Sequence, residues 1–192
     1  MDAIDREAEI AQLSAQYGAP LRQCCALDMS RANDAWWSTG KARRRDGEVA
    51  LFIRRRNGNL ILHTKDFYPD GVLRVPTGGI KPGEAVIAAV HRETMEETGL
   101  QVAVERFLAL VEFEFHCQGQ VIPYPSYGFL LREITGDLKA LDPDERITAF
   151  GEVSFSELPA VATALENVPA TWQDWGQFRA IPHRLVAGLM GF

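Results

Sequence analysis

Three glutamates crowd one turn of a helix in this chain, and that charge restricts the fold more than any other feature. Residues 84–98 have a helical pattern, with Pro82-Gly83 in front and Gly99 as a stop. Residues three and four apart on a helix share a face, so Glu93 stands beside both Glu96 and Glu97. Like charges at that spacing are destabilising unless something positive lies among them. Arg92 can offset part of the charge, but one guanidinium cannot neutralise three carboxylates. A divalent cation can. Hard oxygen donors packed this closely suit Mg2+ or Mn2+, which proteins hold with a few carboxylates plus substrate phosphates.

The residues ahead of the helix point the same way. Thr77-Gly78-Gly79 is backbone that can turn tightly and approach a ligand closely, and a carbonyl there adds another hard donor. Metal ions so held bridge diphosphate oxygens, absorb developing charge and lower the pKa of a bound water. For an isolated E-x-x-E-E, a solvated acidic face would be the better reading. The wider spacing decides against it. Gly78, Glu84, Arg92, Glu93, Glu96, Glu97 and Gly99 fall on the pattern G-x5-E-x7-R-E-U-x-E-E-x-G-U, where U is a bulky aliphatic residue and Leu100 fills the last such position. With each residue type at ~7% usage, a chance match in this chain is on the order of one in a million. Thr94 departs from the pattern, offering a β-branched methyl where an aliphatic side chain is expected.

This stretch resembles the Nudix box, tightly over residues 78–100 and more loosely over about 46–158. The resemblance implies an α+β fold, an α/β/α sandwich around a mixed sheet. It also implies a Mg2+-dependent hydrolase, with Mn2+ as a substitute, that cleaves the diphosphate bond of a nucleoside diphosphate linked to a group X. Glu93, Glu96 and Glu97 would be the metal-binding and catalytic glutamates, Glu93 acting either as a ligand or as base for the attacking water. Arg92 would hold the glutamates by salt bridging and Glu84 would support that network, with Gly99 closing the helix. The Thr77 carbonyl would be a backbone ligand, and Gly78 and Gly79 would meet the substrate. A further acidic ligand from a later loop is expected, with Glu145 preferred over the strand pair Glu112 and Glu114.

The remaining sequence supplies the scaffold. Its 192 residues suit one domain with a sizeable core. A net charge of -6 argues against a nucleic-acid polymer as partner, yet leaves phosphate chemistry open where metals and local arginines neutralise a site. Residues 1–12 are charged and lack the apolar run of a secretory signal, and no stretch approaches the ~20 apolar residues of a membrane span. The expectation is a cytoplasmic protein without membrane contact. Cys24, Cys25 and Cys117 are odd in number and lack zinc-site spacing, so they read as reduced, small and mostly buried.

A helix is expected over residues 4–17, with Ile4, Ala8, Ala11 and Ala15 as its apolar stripe, and a second over 29–37, where Trp36 and Trp37 read as packing residues. Residues 1–40 then form an N-terminal helical extension to a domain over 41–192. Such pieces often make dimer contacts or cover an active site, and a homodimer is one expectation. The body reads as a hairpin over 49–64, a short strand at 73–75, the box helix, long strands over 102–117 and 121–134, a strand over 147–155, and helices over 156–166 and 172–190.

Specificity is less legible. Arg54, Arg55 and Arg56 form a basic run; Arg54 is a candidate phosphate contact, although solvated edge charges are the commoner outcome. Phe67, Tyr68, Tyr124 and Tyr127 are candidate base stackers, each more often packing. His183 reads as part of an amphipathic core face rather than a base. ADP-ribose or a nucleotide sugar is the favoured substrate class, with nucleoside triphosphate cleavage for pool cleaning as the alternative. A non-catalytic, nucleotide-binding regulatory domain is the reading from another class, opposed by the complete set of box glutamates. An isoprenoid diphosphate isomerase would need a cysteine in a strand before the box, and none lies between Val49 and Gly78.

Overall fold

The computed structural model describes residues 4–29, 44–117 and 119–192. In chain order its elements are α1 (Arg6–Tyr17), β1 (Leu21–Asp28), β2 (Glu48–Arg54), β3 (Leu60–Lys65), β4 (Thr77–Gly79), α2 (Val86–Thr98), β5 (Leu100–Cys117), β6 (Gln120–Gly136), β7 (Ile147–Val153), α3 (Leu158–Glu166) and α4 (Gln173–Leu189). The strands form one mixed sheet in the order β1-β5-β6-β2-β3-β7, and β4 pairs with β2 beside this path. β1 runs parallel to β5 and β6 parallel to β2; the other pairs are antiparallel.

Side-chain alternation along β2 divides the interior in two. Val49, Leu51 and Ile53 face a cluster that includes Ile10 and Leu13 of α1 and Val86, Ala89 and Val90 of α2. Ala50 and Phe52 face the other way, against Leu158, Ala162 and Leu165 of α3 and Ala180 and Val186 of α4. Helices on both faces of a strand buried on both sides make the α/β/α sandwich that the sequence implies. A third cluster joins Val111, Phe113 and Phe115 of β5 and Tyr124 of β6 to Met29 and Phe178.

The described N-terminal residues hold one of the expected helices and an unexpected strand. α1 forms, but its buried residues are Ile10 and Leu13, with Tyr17 partly buried on the same core, while Ala8, Ala11 and Ala15 are exposed. The larger side chains win because they remove more apolar area from water than alanines do. Residues 21–28 then form an edge strand, β1, where no strand is expected. Six of its residues are exposed and the other two only half-buried, so its sequence carries no clean alternation. Apart from Met29, the expected second helix and both of its tryptophans lie outside the described residues. The cysteines are free, but Cys24 is exposed and Cys25 and Cys117 are half-buried, contrary to their expected burial. At residues 73–75 only Arg74 forms a bridge, to His63. No helix among the described residues is long and apolar enough to cross a membrane.

α1 is wired to the start of α2. The N-cap of α2, Ala85, has no capping side chain of its own. Glu9 substitutes for it, accepting a hydrogen bond from the Val86 N–H at 2.7 Å. Arg6 holds Glu9 at 2.6 Å and Asp46 at 2.9 Å, and Asp46 accepts from the Gly83 N–H at 3.0 Å. A carboxylate at a helix N-terminus is favoured both by the free N–H groups and by the helix dipole. Glu9→Ala is expected to lower stability by about 1 kcal/mol in urea denaturation; an unchanged midpoint would mean that this contact does not cap the helix.

Candidate active site

β4 brings the two glycines into the sheet: Gly79, Gly78 and Thr77 pair with Glu48, Val49 and Ala50 of β2. Neither glycine takes a positive φ, so the turn expected there is extended strand instead, and the glycines serve close approach. A Cβ on Gly78 would fall 1.9 Å from Glu93 Cγ and Cδ, and one on Gly79 would fall 2.3 Å from Arg45 Nη1. Gly78 thus lets the Glu93 side chain lie against the strand. The Thr77 hydroxyl accepts from Arg74 Nη1 at 2.9 Å.

Arg92 stands among the carboxylates of α2. Its Nε and Nη2 make a two-point contact with Glu84 at 2.7 and 2.8 Å; its Nη1 reaches Glu93 at 2.6 Å and Glu96 at 2.9 Å. Nη2 also donates to the Gly79 carbonyl at 2.9 Å, tying the helix to β4. Glu84 in turn accepts from the Lys81 N–H at 2.8 Å, closing the turn before the helix. Its hydrogen bonds to Glu84 lead the causes that raise the Arg92 pKa, so this guanidinium is a permanent cation. Glu93 is buried, and burial pushes its pKa up against the pull of Arg92.

Glu97 is fully buried on the opposite side of the cluster. Here β3 supplies two residues that the sequence reading did not single out. His63 and Lys65 are two apart and share a strand face. Lys65 Nζ lies 2.9 Å from Glu97 Oε1, and His63 Nε2 lies 4.0 Å from Glu97 Oε2. Burial, then the charges of Arg74, Lys65 and Arg179, hold the His63 pKa well below its ordinary value, so the ring is neutral. Glu97 Oε2 and both His63 ring nitrogens have no hydrogen-bond partner among the described residues. Burial pushes the Glu97 pKa up to about 7, although Lys65 and Arg74 pull it down. A lone lysine or histidine in an apolar strand carries no motif, which is why neither is legible beforehand.

Glu145 comes to the same place from the far end of the chain. Gly99 ends α2 in the left-handed conformation at φ 68°. The loop after β6 docks on that end: the N–H groups of Leu141 and Asp142 donate to the Glu96 carbonyl, and that of Lys139 to the Thr98 carbonyl. A Cβ on Gly99 would meet Asp137 O at 2.8 Å, so only glycine admits this loop. The loop runs into a single 3-10 turn, Pro143–Glu145, and Glu145 Oε2 meets Lys65 Nζ at 2.5 Å. Burial would raise the Glu145 pKa, but the lysine contact wins and lowers it.

The structure therefore brings Glu84, Arg92, Glu93, Glu96, Glu97, Thr77, Gly78, Gly79 and Glu145 together, and separates Arg54 from them. Arg54 pairs with Glu105 at 2.7 Å, four residues along β2 from Ala50, roughly 13 Å at strand spacing. With Arg55, Arg56 and Arg132 it lines an open cleft of about 440 Å3. Arg54, Arg55 and Arg132 are paired with Glu105, Glu133 and Glu152, while Arg56 donates to the Ile134 carbonyl. The arginine beside the glycines is Arg45, exposed over Gly79. Glu112 and Glu114 are exposed on β5. Of the four candidate stackers only Phe67 presents an exposed ring, under the Arg146 guanidinium. His183 is a structural link: its Nε2 accepts from the Val75 N–H at 3.2 Å, and its Nδ1–H donates to the Arg179 carbonyl at 2.8 Å.

A family model described as the NUDIX domain matches residues 44–175, more than two thirds of the chain and the whole of this site. The chain belongs to the Nudix family of hydrolases. Similar to it is an ADP-ribose pyrophosphatase of Methanocaldococcus jannaschii, 32% identical over 124 residues, 64% of this chain and 70% of that protein. Among solved structures, an ADP-ribose pyrophosphatase from Streptococcus suis is 19% identical, with a TM-score of 0.46 over 76% of this chain and 91% of its own. A UDP-X diphosphatase is 16% identical, with a TM-score of 0.49 over 97% of this chain and 73% of its own.

Nudix hydrolases generally use divalent metals, and the donors of this site fit one. They are hard carboxylate oxygens, and one of them, Glu97 Oε2, is buried without a partner. Among the described residues no three acidic or imidazole groups converge as a ready metal cage; the gaps between carboxylates hold Arg92 and Lys65 instead. The raised Glu97 pKa has a consequence for stability. Between its ordinary value of 4.5 and about 7, the folded protein keeps a proton that the unfolded chain releases. That contribution is complete below pH 4.5 and is lost as the pH rises through about 7. In metal chelator, the wild-type protein is expected to gain up to about 3 kcal/mol relative to Glu97→Gln as the pH falls from 8 to 5. Parallel stability profiles of the two proteins would show that Glu97 ionises normally.

Proposed function

We propose that this Nudix protein is a Mg2+-dependent hydrolase, with Mn2+ able to substitute, that splits the diphosphate bond of a nucleoside diphosphate linked to a group X. ADP-ribose or a nucleotide sugar is the favoured substrate class. The observation that carries the reaction is the gathering of Glu93, Glu96, Glu97 and Glu145 at one end of α2, with a buried and unpartnered oxygen on Glu97. The substrate class rests on the M. jannaschii relative, named an ADP-ribose pyrophosphatase and matched over 70% of its length.

Those four carboxylates, with the Thr77 carbonyl, would hold the metal. When bound, such an ion polarises phosphoryl oxygens and acidifies water. The protein's own residues do the positioning. Arg92 fixes Glu93 and Glu96 through one nitrogen and ties both to Gly79 through another. Gly78 makes room for the Glu93 side chain against β4, and Arg45, lying over Gly79, is placed to meet the negative charge of a diphosphate. Glu93 and Glu97, whose proton affinity burial raises, are the groups able to take the proton of the attacking water. Phe67 offers the exposed ring nearest in sequence to Lys65 for a base to stack on.

The test is a phosphate-release assay over ADP-ribose, nucleotide sugars, dinucleotides and nucleoside triphosphates, with Mg2+ or Mn2+. Cleavage of ADP-ribose or a nucleotide sugar is expected, falling about a hundredfold or more in Glu97→Gln. Equal turnover by folded Glu97→Gln would remove the glutamate cluster from the reaction, and a preference for triphosphates would replace the substrate class.

A further inference from the structure

Lys65 sits where a divalent ion would be expected. Its ammonium spans Glu97 Oε1 at 2.9 Å and Glu145 Oε2 at 2.5 Å, and its side chain is only 9% exposed. The placement is built into the sheet. Lys65 is the last residue of β3, and the pairing of β3 with β7 slips between Thr64 and Lys65, where Thr64 faces Ala149 and Lys65 faces Ile147. Such a bulge bends a strand and re-aims the side chains beside it. Here it lies two residues from Glu145, and Asp66, next to Lys65, pairs with Arg146, next to Glu145, at 2.8 Å. The two segments are clamped so that lysine and glutamate meet.

The charge balance makes this contact exchangeable. One ammonium faces Glu97 and Glu145, with Glu93 close enough that the Glu145 charge raises its pKa. A divalent ion brings twice the charge and accepts more oxygen donors than an ammonium has protons to give. The four-carbon stem of a lysine can move aside without backbone change. Resting on the metal-dependent reading above, we propose that Lys65 is a built-in counter-cation. Its ammonium fills the gap between Glu97 and Glu145 in the metal-free protein, and binding of a divalent cation expels it. Lys65 thereby sets how tightly the site holds metal: the ion must displace a competitor that the chain itself supplies.

Calorimetric titration of the metal-free full chain with Mn2+, without substrate, compares wild type with Lys65→Met. In parallel, an amine-reactive reagent and mass spectrometry follow labelling of Lys65 in the wild-type protein with and without saturating Mn2+. The expected result is about tenfold or greater tightening of Mn2+ in Lys65→Met, since a positive neighbour is removed, and a several-fold rise in Lys65 labelling when Mn2+ binds. Equal or weaker Mn2+ binding by folded Lys65→Met, or labelling that Mn2+ leaves unchanged or reduces, would overturn the proposal. Should Lys65→Met fail to fold without metal, the labelling of the wild-type protein decides. Wild type that binds no Mn2+ would instead contradict the metal-dependent reading itself, an outcome distinct from binding that is indifferent to Lys65.

Discussion

Carboxylates gathered at one end of a helix repel one another, and burial raises the cost because water no longer screens them. Glu84, Glu93, Glu96, Glu97 and Glu145 persist together because two cations of the chain stand among them. Arg92 gathers Glu84, Glu93 and Glu96, and Lys65 gathers Glu97 and Glu145. The division has a chemical effect. Glu84 is held ionised by Arg92 and the Lys81 N–H despite partial burial, whereas in Glu97 burial outweighs its cations. One cluster therefore contains carboxylates of different proton affinity, and a general base works best when its pKa lies near the working pH.

The scaffold converges on keeping that cluster in place. β2 carries β4 and its two glycines on one side of the helix, and β3 brings His63 and Lys65 over another. Glu9 of α1 caps the start of α2, while the loop around Lys139 to Asp142 takes up carbonyls at its end. The helix is thus fixed at both termini by segments distant in sequence. Behind the sheet, Arg179 of α4 is bound by both oxygens of Glu48 at 2.9 and 2.8 Å, anchoring that helix to the strand from which β4 hangs.

The box helix and its stop at Gly99 were legible in the sequence because each follows from a local rule, carboxylate spacing and a left-handed cap, whereas Glu145 was expected only through the family resemblance. The apolar run from Val49 to Ile53 likewise announced a strand. What escaped the sequence was set by tertiary contact. α1 turned its larger side chains inward instead of its alanines, and β1, lying at the edge with most residues in water, had no alternation to reveal it. Gly78 and Gly79 serve side-chain approach rather than a turn, a distinction that only the positions of Glu93 and Arg45 make visible. His63 and Lys65 read as ordinary strand residues until the sheet is laid against α2. Arg54, in a conspicuous basic run, found its partner in Glu105.

On the proposed function, this carboxylate cluster is the cation site at which a diphosphate is bound and cleaved. The most direct measurement is an anomalous difference map from crystals soaked in Mn2+ with a non-hydrolysable nucleoside diphosphate analogue. Mn2+ is expected among Glu93, Glu96, Glu97 and Glu145, with the diphosphate of the analogue beside Gly78 and Gly79. A cluster still closed by Arg92 and Lys65, with metal and analogue bound elsewhere on the molecule, would contradict it.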